Sequence, residues 1–180
     1  MTRYGDKRGV IAGDATGIAL AIAKRLVEGG ARILLTARTP QERMRLGDEL
    51  GSAARVVNPA ALRTHLEAGG GVDLLFADSV PTTRPLLSHV KDGGAVVLTT
   101  PAPSPAAVHD LAAELASRGI RVNAVAPDCI ESPGGSAASL PPLGRLGAAE
   151  EVARAALFLA TDATFTTGAR LPVDGGLRRA

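Results

Sequence analysis

Residues 9–30 read GVIAGDATGIALAIAKRLVEGG. A short apolar run, Gly9–Ala12, meets a turn bounded by Gly13 and Gly17. A helix-period stretch, Gly17–Glu28, follows with Ile18, Ile22 and Leu26 on one face, and Gly29-Gly30 ends it. Strand, glycine turn and helix make the opening half of a βαβ unit. Gly13 permits a tight turn. Gly17 lets the main chain approach a ligand at the helix N-terminus, where free N–H groups and the helix dipole favour phosphate. The spacing is G-x-x-x-G-I-A rather than G-x-G-x-x-G, and taken alone it is also what a plain βα connection looks like.

The alternation runs on to the end of the chain. Apolar runs predict strands at Ala31–Ala37, Ala54–Val57, Val72–Ala77, Ala95–Thr100, Ile120–Ala126 and Leu171–Val173. Between them, helices are expected over Pro40–Leu50, Ala60–Glu67, Thr82–Val90 and Glu150–Ala160. Another starts at Pro105 behind Ser104 as N-cap, with Val108, Leu111, Ala112 and Leu115 on its apolar face. β and α alternate with no hairpin signal. That pattern predicts an α/β fold: a doubly wound parallel sheet with helices on both faces, a three-layer α/β/α sandwich. At 180 residues, with no repeat, linker or low-complexity tract, the chain reads as a single domain over 1–180.

Hydrophobic residues make up 46% of the chain, yet only Tyr4, Phe76, Phe158 and Phe165 are aromatic. The core must be built from Ala, Val, Leu and Ile, which suits closely packed helices on parallel strands. The net charge of +2 comes from interspersed signs without basic-aromatic interleaving, so no nucleic-acid partner is expected. One cysteine, Cys129, allows neither an internal disulfide nor a cysteine metal cluster. His65 and His89 have no partners at metal-ligand spacing, so no metal is expected. The apolar stretch Ala15–Ala23 is too short to span a bilayer, and MTRYGDKR lacks the core of a signal peptide. A soluble cytoplasmic protein with no membrane partner is the expectation.

About twenty residues past the glycine turn, where a dinucleotide site selects its ribose, the second strand ends in Thr36-Ala37-Arg38. An arginine there suits a 2′-phosphate, hence NADP over NAD; a solvated loop arginine is the alternative. Gly13, Ala15, Thr16, Gly17, Ile18 and Arg38 are therefore the candidate NADP(H)-binding residues.

Taken together, these segments resemble the short-chain dehydrogenase/reductase family from Gly9 to Leu177. The specific part is the C-terminal third. GIRVNAVAP (119–127) is similar to that family's strand after the active-site helix, and PLGRLGAAEEVARAALFLATDATFTTGARLPVDGG (142–176) to its closing helix and last strand. The resemblance implies a Rossmann-like fold, NAD(P) as cofactor, and homo-oligomers. Ser132 stands where a nicotinamide-contacting Thr is typical. The closing helix and last strand resemble the family's subunit contact. The helix from Pro105 is shortened, so a dimer is expected more readily than a tetramer.

The departures from the family pattern lie together. Its reaction uses a Ser and a Tyr-x-x-x-Lys pair, assisted by an Asn. Here the one tyrosine is Tyr4, and the lysines are Lys7, Lys24 and Lys91. In VLTTPAPSPAAVHDL (97–111) the positions for Ser and Lys both fall near Pro101, so an internal deletion has removed the stretch between them. The fourth-strand Asn-Asn-Ala-Gly reads ADSV (77–80), and the third strand runs from Val57 into NPAAL without the usual Asp-Val. Each loss falls at the C-terminal end of a strand, where open α/β sheets bind ligands. The expectation is a fold trimmed at those ends. It would be degenerate for hydride transfer, with a residual NADP(H) site and a role as a nucleotide- or partner-binding subunit.

Two alternatives remain open. One is a non-redox isomerase or cyclase, using a carboxylate in a shallow pocket of Thr99, Thr100, Asp78, Asp128, Cys129 and Glu131. The other is an atypical NADPH-dependent reductase with a substitute acid. The sequence names no catalytic residue; Thr99, Thr100, Asp78 and Asp128 are the candidates. His109 is also in reach of that corner, but beside Asp110 it reads as solvent-facing.

Overall fold

The computed structural model describes residues 3–14, 17–99, 104–131 and 140–177. Seven strands form one parallel sheet: β1 (Arg8–Ala12), β2 (Arg32–Thr36), β3 (Ala54–Val57), β4 (Val72–Ala77), β5 (Val90–Leu98), β6 (Arg121–Pro127) and β7 (Arg170–Val173). Their order is β3-β2-β1-β4-β5-β6-β7, with each neighbouring pair parallel. The helices are α1 (Gly17–Glu28), α2 (Pro40–Leu50), α3 (Leu62–Gly69), α4 (Val80–Thr83), α5 (Pro105–Leu115) and α6 (Ala149–Leu157).

Strand side chains alternate between the two faces, and both faces are covered. Ile11, Leu35, Phe76, Val97 and Val125 join the core under α1 and α6, with Ile22, Leu26, Val152 and Ala156. Val10, Leu34, Leu75, Val96 and Val122 join a second core with Leu66 of α3 and Leu111 and Leu115 of α5. This is the doubly wound parallel sheet expected from the uninterrupted Val, Ile and Leu runs. Alanines at 19, 23, 153 and 156 are buried where α1 and α6 pack together. The chain thus packs these two helices closely through small side chains.

Several elements keep their expected ranges, including α1, α2, β3 and β4. Three regions differ. The helix expected over Thr82–Val90 begins earlier, because the Ser79 hydroxyl accepts the Thr82 N–H as an N-cap. It tightens at once into a 3₁₀ turn, Arg84–His89, where Pro85 has no N–H to give. β5 opens at Val90 rather than Ala95. Lys91 to Gly94 bulge between the pairs Val72–Val90 and Leu74–Ala95, Gly93 has φ 75°, and Lys91 pairs with Asp73 at 3.1 Å. Charges and glycines hide that half of the strand from an apolar reading. Finally, α6 widens into a π turn, Phe158–Asp162. The Arg121 guanidinium donates there to the carbonyls of Leu159 (2.6 Å), Ala160 (2.6 Å) and Ala163 (3.0 Å).

β7 is an edge strand whose one neighbour is β6. The carbonyls of Ala169 and Val173 accept from the N–H groups of Ala124 and Asp128. In a parallel ladder the alternate residues, Arg170 and Pro172, then turn their main chain to the open side.

Candidate nucleotide site at the strand ends

The glycine turn after β1 hangs from the neighbouring strand. Thr36, buried at the end of β2, donates its hydroxyl to the Gly13 carbonyl at 2.8 Å and accepts the Gly13 N–H at 3.0 Å. Gly13 has φ 123°, open to glycine and strained for any other residue. Sequence reasoning passed over Thr36 as an anchor. Its signal is a hydroxyl at the last position of the apolar run RILLT.

β1 and β4 lie side by side at the point where the strand order reverses, the crevice in which doubly wound sheets bind ligands. Asp78, which follows β4, reaches across it. A Cβ at Gly13 would overlap the Asp78 carboxylate, so the missing side chain of Gly13 is the space this carboxylate fills. Thr82 donates its hydroxyl to Asp78 Oδ1 at 2.6 Å, and the Asp14 N–H faces Oδ2 at a long 3.4 Å. Thr82 is fixed in turn, its hydroxyl 2.9 Å from that of Ser79.

A cavity of about 590 Å³ opens beside this turn, between the ends of β1 to β4 and the starts of α3 and α4. Pro59, Leu62 and Leu86 give it apolar walls; Arg38, Arg63 and Asn58 bring polar groups. Arg38 pairs with Asp14 at 2.7 Å, but the side chains are 70% and 58% exposed. Such a pair contributes at most about 1 kcal/mol, so a phosphate can draw Arg38 away from it. Arg63 lies 3.5 Å from Glu67, also exposed. Arg63, Asn58 and Thr82 escaped the sequence reading, although Asp78-x-x-x-Thr82 is a helix-turn spacing.

Among the described residues, the other half of the edge offers fewer free polar groups. Thr99 gives its hydroxyl to the Ala77 carbonyl at 3.2 Å, and its N–H goes to the same oxygen at 2.8 Å. Asp128 accepts the Cys129 N–H at 2.8 Å, and Glu131 hydrogen-bonds through its main chain to Gly147. Burial, and then the Asp128 carboxylate, push the Cys129 thiol above its ordinary pKa, away from a reactive thiolate. Asp78 and Asp128 follow strands two places apart, about 10 Å across the sheet, and Asp78 turns toward β1. The structure does not bring these two carboxylates together.

Gly17 and Ile18 form the first turn of α1, exposed and half-buried respectively. Ala15, Thr16, Thr100 and Ser132 lie outside the described residues, as does Pro101. Tyr4 is buried at the opposite end of the sheet, its ring over Gly29 and its N–H on the Gly29 carbonyl at 2.7 Å. Lys7 precedes β1, Lys91 sits in the bulge at the start of β5, and Lys24 reaches Glu49 of α2 at 2.6 Å. His109 is exposed on α5, as expected. Among the described residues no helix is long and apolar enough to cross a membrane, and no acidic, His or Cys cluster could hold a metal.

The architecture places the chain among doubly wound α/β folds whose strand order reverses between β1 and β4. Comparison with known proteins narrows this. A family model described as enoyl-(acyl carrier protein) reductase matches residues 102–178. The 3-oxoacyl-[acyl-carrier-protein] reductase FabG of Salmonella typhimurium is 31% identical over 236 residues, covering 95% of this chain and 97% of its own. A 3-ketoacyl-(acyl-carrier-protein) reductase from Brucella melitensis, solved with NADH, superposes with TM-score 0.80 at 25% identity, covering 96% of this chain and 98% of its own. A short-chain dehydrogenase/reductase from Serratia marcescens gives 0.83 at 20% identity, covering 97% and 98%, and shares the fold. The chain belongs to the short-chain dehydrogenase/reductase family of oxidoreductases. The Salmonella alignment spans 236 positions against a chain of 180, so at least 56 of them have no counterpart here.

Proposed function

We propose that this family member has given up hydride transfer and serves as a nucleotide- and partner-binding subunit. The observation that carries this reading is the position of Tyr4: the one tyrosine is buried at the end of the sheet opposite the ligand crevice. The lysines are equally remote, and Thr99 at the end of β5 is bound to its neighbouring strand. General acid–base catalysis contributes roughly 10²–10⁴-fold, and no described side chain stands in for the missing pair.

The fit to NADP(H) is partial. Apolar walls with Arg38 and Arg63 suit an adenosine carrying a 2′-phosphate, which supports NADP over NAD. Asp78 brings a carboxylate into the same cavity, and the described residues offer no ribose-holding lysine there. The subunit is read as one cytoplasmic domain over 1–180 that pairs with a second copy through α6 and β7. Phe158 and Phe165 are exposed in that region, 52% and 105%. α5 presents the Arg84–Glu114 ion pair instead, which supports a dimer over a tetramer.

The names of the relatives set the test: NADPH oxidation with a 3-oxoacyl thioester, ketones and enones, beside a FabG-type reductase. Turnover at least ~100-fold below that reductase is expected. A rate close to it would overturn the reading.

A further inference from the structure

We propose that the sheet carries a second ligand site, at the end opposite the glycine turn, which takes a small phosphorylated ligand: a phosphate monoester or a diphosphate. This site does not rest on the nucleotide reading of the larger cavity.

A hollow of about 230 Å³ lies where β1, β2 and β3 begin, against α3. Arg8, Arg32, Arg55 and His65 line it, and no carboxylate does. The register brings the arginines together. Arg8 and Arg32 are partners across β1 and β2, and Arg55 pairs with Leu34, two residues beyond Arg32. Each stands two residues before a side chain of the second core, Val10, Leu34 or Val57, so all three turn to the α3 face. From Arg8 to Arg55 is two strand spacings, about 10 Å. Arg8 is the seated member: it donates to the Gly70 carbonyl at the end of α3, and a Cβ at Gly69 would overlap its guanidinium. Arg32 and Arg55 have no side-chain partner among the described residues. Asp73, beside Arg8 on β4, is taken by the Arg8 N–H at 2.8 Å and by Lys91 at 3.1 Å.

Guanidiniums stay charged at any ordinary pH, and like charges on neighbouring strands repel. The other cavity at the strand starts has its signs balanced: Arg3, Lys7 and Arg121 meet Asp73, Asp92 and Asp162. The hollow at β1 to β3 has the cations alone, an arrangement that a bound anion completes. Guanidiniums supply only N–H donors. A phosphate group presents three acceptor oxygens and nearly two charges, and matches three of them better than a carboxylate does. The hollow is smaller than the roughly 300–1,000 Å³ of sites for drug-sized ligands, which limits the ligand to a small one. None of the exposed large apolar side chains lines it, so a free ligand fits better than a lipid headgroup.

The test is calorimetric titration of the full chain with inorganic diphosphate at constant ionic strength, in wild type, Arg32→Gln, Arg55→Gln and Arg38→Ala. Wild type should bind at submillimolar concentration. Arg32→Gln and Arg55→Gln should each weaken binding by about tenfold or more, and Arg38→Ala, in the other cavity, by less than about threefold. Arg55→Lys, which keeps the charge, should lose less than Arg55→Gln. Without ligand the Gln variants should melt no lower than wild type, and diphosphate should raise the wild-type midpoint more than theirs.

No binding of diphosphate at millimolar concentration would overturn the proposal. So would an equal loss in Arg32→Gln, Arg55→Gln and Arg38→Ala, or a loss confined to Arg38→Ala, which assigns the anion to the nucleotide cavity. Sedimentation with phosphatidic acid vesicles that needs Arg32 and Arg55 and is not displaced by diphosphate would assign the face to a membrane, and the proposal would fall.

Discussion

Beside the ends of β2 and β3, Arg38 and Arg63 face an open cavity; at the ends of β5 and β6, the described polar side chains Thr99 and Asp128 are bound to main chain. Arg38 and Arg63 reach a cavity through exposed, breakable ion pairs. Thr99 and Asp128 are engaged with the Ala77 carbonyl and the Cys129 amide. The two halves share one sheet and equally buried strands, so packing does not separate them. The difference lies in what the described side chains at each strand end touch.

The comparison breaks most visibly at Arg38. Arg38→Ala should weaken binding of a 2′-phosphorylated nucleotide by about 10–100-fold, the loss of charge-assisted hydrogen bonds worth about 1.5–3 kcal/mol. Thr99→Ala, on the other half, should leave that affinity unchanged in the same titration. An equal loss in both variants would dissolve the contrast.

Next is the anchor of the turn. Thr36→Val leaves the Gly13 N–H and carbonyl without their buried partner, and should cost about 1–3 kcal/mol in urea unfolding.

The smallest effect concerns α6, on the β6 side. Glu151 accepts from Arg145 and from the Ala148 N–H, and these hold its carboxyl down at about 2 from the ordinary 4.5. A depressed folded value stabilises the protein above pH 4.5. Between 4.5 and about 2 the unfolded chain takes up the proton first, so this contribution fades as pH falls through that window. Glu151→Gln should flatten the acid side of a plot of urea midpoint against pH.

Much of this was legible from the residues. The strand and helix periods of α1, α2, β3 and β4 are uninterrupted, and α5 keeps Ser104, Pro105 and its four buried apolar positions where they were expected. β5 was half hidden because Lys91, Asp92, Gly93 and Gly94 belong to a bulge whose pairing depends on Asp73, a distant residue. At the site, Arg38 announced itself by following a strand. Asp78 did too, but its direction did not. Whether it faces β1 or β6 depends on strand order and on Thr82, and no local pattern records either.

The edge at β7 has a consequence for solubility. A sheet that ends in a free strand offers a template on which other chains can stack. Here the open row of main-chain groups includes Pro172, which has no N–H to donate, so an incoming strand would find a gap in the middle of a four-residue edge. β3, the opposite edge, is also four residues long. The sheet is guarded at both rims against growing into fibres. A second copy meeting this flank must recognise side chains, the exposed Phe165 among them, rather than prolong the ladder.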